Sequence, residues 1–223
     1  MQGANTNALD IDLDHVAACA SSAAISDICD SLGLRDQTAQ FGLSPLARAA
    51  GTVVGWARPV RSIAVNELPE RPYVAEIDFI DSLRAGDVVV AECTTGAAFW
   101  GDLFATAAIA RGARGAIIDG YVRDSQKIIE SGFRIHCRGM HPTDCHGRTA
   151  IVAEGNPVTV GGKQVQLGDL VIADDDGVTF VPRDHAEVIC RRAIEKAGVE
   201  SQARALLEAG STLREAWERF RVL

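Results

Sequence analysis

The chain has no apolar run approaching the roughly 18–20 residues that a membrane span needs, so no membrane partner is expected. Its six cysteines include no CxxC pair, and scattered thiols in a chain of this length read as reduced, several of them serving as small buried apolar residues. Aromatic platforms for stacking bases are few, with three Trp and two Tyr in 223 residues. A basic face is missing too. The net charge is −8 and the pI about 5.1, with Lys and Arg interspersed among acids, which argues against a nucleic-acid partner. The opening MQGANTNALDIDLD is polar and acidic, unlike a signal peptide or a basic transit sequence. No G-x-G-x-x-G fingerprint, Walker loop or G-x-S-x-G elbow occurs. The expectation is a cytoplasmic, acidic α/β protein.

What is present is patterned. Residues 14–33 read as one or two short helices with Val16, Ala20, Ala23, Ile28 and Leu32 on one face, and residues 51–60 as a strand. A helix over 74–84 follows. Residues 88–91 form a wholly apolar strand, 92–101 a loop of small residues, and 102–111 a helix stopped at Gly112. Residues 115–119 make a second buried strand, and a helix resumes over 125–131. Strand, helix, strand at this spacing is a βαβ crossover with parallel strands. Two hairpins follow, over 157–167 and 168–182, and two amphipathic helices run from Asp184, a candidate N-cap, to the end. No flexible linker interrupts the chain, which reads as one domain over 1–183 with C-terminal helices over 184–223 that pack on it or on a neighbouring subunit.

Three features carry chemistry. HCRGMHPTDCH (136–146) concentrates His and Cys like a metal site, but it lacks a second ligand pair and Gly and Pro make it a loop. Its bland reading, incidental side chains on a loop, is preferred: His136 and Cys137 finish a strand and residues 139–147 form the loop. Asp174-Asp175-Asp176-Gly177 lacks the further ligands of a calcium loop and reads as a turn. The third feature is the crossover itself. Asp102 opens its helix and Arg123-Asp124 leave its second strand, so both meet at the C-terminal edge of a parallel sheet, where ligands bind. The backbone N–H groups that start the helix suit an anion, and Arg123 offers a fork for a carboxylate. Asp102 and Asp124 are hard oxygen ligands suited to Mg2+ or Mn2+. A surface Arg–Asp pair beside a capping Asp is the bland alternative.

Phe99-Trp100-Gly101-Asp102, twenty residues and then Arg123-Asp124, in the context Ile118-Asp119-Gly120-x-Val122-Arg123-Asp124, resemble a known family. It contains the 4-hydroxy-4-methyl-2-oxoglutarate and 4-carboxy-4-hydroxy-2-oxoadipate aldolases and the regulators of ribonuclease E activity. The likeness extends to residues 25–33, 86–90, 168–178 and 213–217. It implies an α/β fold, a three-layer β/β/α swivelling-type domain with a C-terminal helical extension, assembled as a homotrimer or homohexamer. It also implies a class II pyruvate aldolase using Mg2+ or Mn2+ on a 2-oxo acid, with oxaloacetate decarboxylase activity. By position Asp124 resembles the direct metal ligand, Asp102 a residue holding metal-bound water and assisting catalysis, and Arg123 the catalytic group on the keto-acid end. Gly101 and the N–H groups of Leu103 and Phe104 take the place of the carboxylate cradle. Glu200 corresponds to an acid that a neighbouring subunit sends to the metal waters. Two departures stand out: ECTTGAA (92–98) replaces a loop rich in glycine and aspartate, and His-Cys stands at 136–137. The family also holds a non-enzymatic binding protein, and the scaffold suits a lyase or hydrolase of another acid, so both remain alternatives. The complete Asp102/Arg123-Asp124 set favours the aldolase.

Overall fold

The computed structural model describes residues 11–40, 42–66, 70–71 and 73–222. Two short helices, α1 (Leu13–Cys19) and α2 (Ser22–Ser31), come first, capped by Asp12 and Ser21. The break between them resets the helical phase. Ala24, Ile25, Ile28 and Cys29 turn inward, while Ala23, expected on the buried face, is exposed. The remaining elements are β1 (Ser44–Pro45), β2 (Val53–Ala64), α3 (Val74–Asp81), β3 (Asp87–Cys93), β4 (Ala98–Trp100), α4 (Asp102–Ala110), β5 (Gly115–Val122), α5 (Ser125–Ser131), β6 (Ile135–Met140), β7 (Thr149–Glu154), β8 (Val158–Val160), β9 (Lys163–Val165), β10 (Leu170–Asp174), β11 (Gly177–Val181), α6 (Ala186–Glu208) and α7 (Leu213–Phe220).

The main sheet runs β1-β6-β5-β3-β2-β10-β11. The β2, β3, β5 and β6 strands are parallel neighbours, joined by helical crossovers. On its other edge β2 pairs with β10 over its first half and β7 over its second. Segment 37–39 lies against β11, with Phe180 N–H donating to Gln37 O at 2.9 Å and Ala39 N–H to Val178 O at 2.8 Å. A few residues later β1 pairs with β6, so this stretch links the sheet's two ends and nearly closes it.

Strand alternation sorts the core into three groups. Val88, Val90, Ile117, Val171, Ala173 and Phe180 point into the near-closed sheet and meet Val158, Val160 and Val165 of the β8–β9 hairpin. Val89, Ala91, Ala116 and Ile118 face outward beneath α3, α4 and α5. Val54, Leu170, Ile172 and Val181 face α1, α2 and the first half of α6. Hairpin, sheet and helices are the layers of the mixed α/β fold, with the C-terminal helices extending from it. Among the described residues no helix is long and apolar enough to cross a membrane.

Four local expectations change. The stretch read as a loop up to Gly101 ends in β4, because Ala98-Phe99-Trp100 is a buried apolar run that pairs in parallel with the end of β5. His136 and Cys137 lie near the start of β6 rather than its end, since that strand follows β5 as far as Met140. Asp184 falls in a 3-10 turn (Arg183–His185), and α6 starts at Ala186 without a side-chain cap. Thr149–Glu154, assigned no structure from the sequence, is β7. The Asp174–Asp176 run forms the β10–β11 turn. Its Asp174 carboxylate accepts from Ser22 N–H at 2.7 Å and Ser22 Oγ at 2.6 Å, while Asp175 accepts from Ala49 N–H at 2.8 Å.

Candidate active site

A cavity of about 440 Å³ opens between α3 and α4 at the C-terminal edge of β4 and β5. Asp102, Arg123 and Asp124 all line it, together with Gly101, Leu103 and Phe104. The crossover thus brings together residues separated by twenty others in sequence. Glu200 does not line this cleft in its own chain. It sits on α6, 3.5 Å from Lys196, which also pairs with Asp27.

Each polar side chain is held by a recognisable device. Arg123 leaves β5 with its N–H donating to Trp100 O at 2.9 Å, which fixes the β4 and β5 ends together. Its Nε lies 3.5 Å from Asp124 Oδ2 and its NH1 3.4 Å from Asp144 Oδ1. Asp124 has left-handed backbone (φ 58°, ψ 32°) and occupies the N-cap of α5 without capping it. Asp tolerates that conformation better than most residues, and the twist leaves its carboxylate free for the cleft. Gly101 explains itself sterically: a Cβ there would stand 2.9 Å from Asp124 Oδ2 and 3.4 Å from Arg123 Nε. The N-cap of α4 is that glycine, with no side-chain cap. Asp102 therefore does not cap the helix. Its carboxylate instead contacts Lys127 Nζ at 3.3 Å and the carboxyl of Asp124.

Electrostatics single out this carboxyl pair. Partial burial would raise the Asp102 carboxyl, but the Lys127 ammonium, the contact with Asp124 and the Leu103 N–H together hold it below the usual range. Lys127 beside Asp102 and Arg123 beside Asp124 supply positive charge to the pair, and a divalent cation between two carboxylates would be attracted to both. Among the described residues no three His, Cys, Asp or Glu groups converge as a complete metal cage. A Mg2+ site, however, needs only one or two carboxylates, with waters completing its shell. The Asp102/Asp124 pair fits that donor chemistry. Cys145, on the same wall, fits it poorly, because burial pushes its thiol up to about 11 and keeps it neutral.

The sequence reading missed two members of the site. Tyr73, in left-handed backbone just before α3, donates a short hydrogen bond to Asp144 Oδ2 and stacks on His146 at 5.2 Å. Burial and the bonded Asp144 carboxylate push its phenol up to about 12, so it remains a donor. Burial works to raise Asp144, but Tyr73 and Arg123 outweigh it and hold the carboxyl low. Tyr73, Asp144 and Arg123 form one chain that aims the guanidinium. Asp144 lies inside HCRGMHPTDCH, where attention to His and Cys passed it over. A hydrogen bond from Ala98 N–H to Thr143 O at 2.9 Å binds that loop to β4 and so delivers Asp144.

The His and Cys of the run scatter. His136 is buried and donates from Nε2 to Asp174 O at 2.7 Å. Cys137 packs beneath the crossover helices, His141 rests its edge on Tyr121, and His146 lies on Tyr73.

Known proteins resemble the chain in sequence and in fold. A family model described as RraA-like, Aldolase/RraA, matches residues 22–180. Protein DlpA of Legionella pneumophila is 25% identical over 206 residues, covering 90% of this chain, which in turn spans only 32% of DlpA. A provisionally named 4-hydroxy-4-methyl-2-oxoglutarate aldolase of Halalkalibacterium halodurans is 30% identical over 173 residues, covering 75% of this chain and 78% of the relative. Among solved structures, a Streptomyces coelicolor member of the RNase ES inhibitor RraA protein family superposes with a TM-score of 0.73. It is 28% identical, and the match covers 86% of this chain and 94% of that one.

Proposed function

The chain belongs to the RraA-like Aldolase/RraA family, and from that premise we propose that it is a lyase that releases pyruvate from 4-hydroxy-2-oxo acids with the help of Mg2+ or Mn2+. Oxaloacetate decarboxylation at the same site is part of the proposal. The observation that carries it is the convergence of Asp102, Arg123 and Asp124 on one cleft at the uncapped start of α4.

Asp124 would hold the cation directly and Asp102 through water, and the bound ion would supply Lewis-acid polarisation of the 2-oxo group. The chain's own groups do the rest. The N–H of Phe104, and that of Leu103 once the Asp102 carboxylate turns from it to the metal waters, lie at the positive end of α4 and would take the substrate carboxylate. Arg123, aimed by Asp144, faces the C2 oxygen. Asp102 is the acceptor for the C4 hydroxyl proton. As that proton leaves, the C3–C4 bond breaks, its electrons pass to C2=O as an enolate opposite Arg123, and C4 departs as a carbonyl compound. Protonation at C3 completes pyruvate. Loss of CO2 from oxaloacetate yields the same enolate, so one arrangement serves both substrates. A carboxylate from a neighbouring subunit, with Glu200 as the candidate, would complete the metal shell in a homotrimer or homohexamer.

The second reading, a binding protein that regulates a ribonuclease, draws on the likeness to the Streptomyces protein. It leaves the Asp102/Arg123/Asp124 convergence without a task. Pyruvate release from 4-hydroxy-4-methyl-2-oxoglutarate and oxaloacetate, with Mg2+ and with EDTA, separates the two. Metal-dependent turnover of either supports the lyase, and no turnover of both with metal present refutes it.

A further inference from the structure

The lyase reaction gives partners to the C1 carboxylate, the C2 oxygen and the C4 hydroxyl of its substrate, but none to a second carboxylate carried on C4. Such a group needs a cation as it leaves water. Among the described residues that line the cleft, Arg123 is the one cation, and it already faces Asp124 and Asp144.

Lys127 stands just outside that lining. It lies in the first turn of α5, three residues after Asp124, and α5 packs beside α4. From there its Nζ reaches Asp102 Oδ2 at 3.3 Å, while 71% of the side chain stays exposed. The helix gains nothing from a lysine at this point, because a cation in the first turn sits at the positive end of the dipole. The pairing with Asp102 is what the ammonium serves.

This pair matches the end of a 4-hydroxy-2-oxo diacid. There the hydroxyl oxygen and a carboxylate oxygen sit on adjacent carbons, about 3 Å apart by ordinary bond lengths. Asp102 Oδ2 and Lys127 Nζ offer one acceptor and one donor at nearly the same spacing. Asp102 can accept the hydroxyl hydrogen while the ammonium donates to the neighbouring carboxylate. With three N–H donors, the ammonium can serve Asp102 and a substrate oxygen together. A methyl group in place of that carboxylate leaves the lysine with nothing to bind.

We propose that Lys127 is a specificity-determining residue that binds the carboxylate carried on C4, so that the site prefers 2-oxo diacids to their monocarboxylic counterparts. The proposal rests on the lyase reading for the placement of C4 against Asp102. Cleavage leaves that carboxylate on the departing carbonyl product, which is itself a 2-oxo acid when C4 also carries a methyl group. One hydrogen leaves the C4 hydroxyl and one arrives at C3, so no other reactant is consumed.

Binding and cleavage test it separately. Calorimetric titration of the full chain in Mg2+ with 2-oxoglutarate and 2-oxopentanoate places a carboxylate or a methyl group at the same point on C4. An ion pair that stays partly in water contributes a severalfold preference, so the diacid should bind about fivefold more tightly or better. Lys127→Met should bring the two acids within about twofold of each other, and Lys127→Arg, which keeps the charge, should retain the preference. Effects that Lys127 exerts on metal binding through Asp102 fall on both acids alike and cancel in the ratio. A parent without the preference, no binding of either acid, or a preference that persists in a Lys127→Met protein melting like the parent would overturn the proposal. So would a Lys127→Arg protein that loses the preference as fully as Lys127→Met. Pyruvate release from 4-hydroxy-4-methyl-2-oxoglutarate reports on the chemistry. A Lys127-dependent preference without release sustains the carboxylate contact and removes the lyase reading. Release with a kcat/KM that Lys127→Met leaves unmoved does the reverse.

Discussion

Replacing Gly101 with alanine adds one methyl group at the most crowded point of the site. The backbone there is extended (φ −136°, ψ −176°) and open to any residue, so the chain accepts alanine without strain. The new Cβ, however, would stand 2.9 Å from Asp124 Oδ2. Carbon and oxygen at ordinary van der Waals distance need about 0.5 Å more, and the carboxylate must retreat by that amount or rotate. Arg123 Nε and Cγ, at 3.4 and 3.5 Å from the same point, restrict where it can go. Displacements of this order at a reacting centre cost ~10- to 100-fold in rate. Folding should change little, because the stiffer unfolded chain stabilises by about 0.4–1 kcal/mol while alanine is a poorer N-cap for α4 than glycine. The expected result is a fall in kcat/KM for oxaloacetate of at least tenfold, with Tm little changed. Coupled pyruvate detection and a thermal melt on the same preparation read both. Activity within twofold of the parent would refute the reasoning that Asp124 Oδ2 must stay against Gly101.

Two further changes probe the groups around the cleft. Tyr73→Phe removes the hydrogen bond to Asp144 and loosens the aim of Arg123; a bond to a charged acceptor contributes about 1.5 kcal/mol, so KM for 2-oxo acids should rise severalfold. Because Asp144 is held low in the folded state, its contribution is complete above the unfolded carboxyl range and lost as pH falls through the folded value. The Tm gap between parent and Tyr73→Phe should therefore be widest near pH 7 and shrink in acid, and a gap that widens in acid would contradict this assignment. Glu76 is buried, and desolvation raises its carboxyl. Its ionised form opposes folding as pH rises above the ordinary value, so Glu76→Gln should melt a few degrees higher at pH 7 and no higher below pH 4.

Much of the site was legible because it rests on local rules. The apolar runs at 88–91 and 115–119 with the helix between them fix the crossover, and the crossover alone carries Asp102 to Arg123 and Asp124. What was not legible depends on long-range packing. β4 is three residues long and exists only because the end of β5 pairs with it. Asp144 reaches Arg123 through a loop tied to β4, and no periodicity records such a tie. The near-closure of the sheet through residues 37–45 has the same character: its pairings join segments some 140 residues apart at one end and some 90 at the other. The His and Cys of 136–146 attracted attention by composition, and the fold distributes them among a strand, a core cluster and two ring contacts.

The central claim is that the Arg123-Asp124 turn performs metal-dependent chemistry on 2-oxo acids. Its most direct test is the initial rate of pyruvate release from oxaloacetate in saturating Mg2+ by the parent and by Asp124→Ala, both shown to be folded with equal Tm. The account predicts robust, EDTA-sensitive release by the parent and a rate indistinguishable from the Mg2+-only background for the variant. A folded Asp124→Ala protein that retains the parental rate would contradict it.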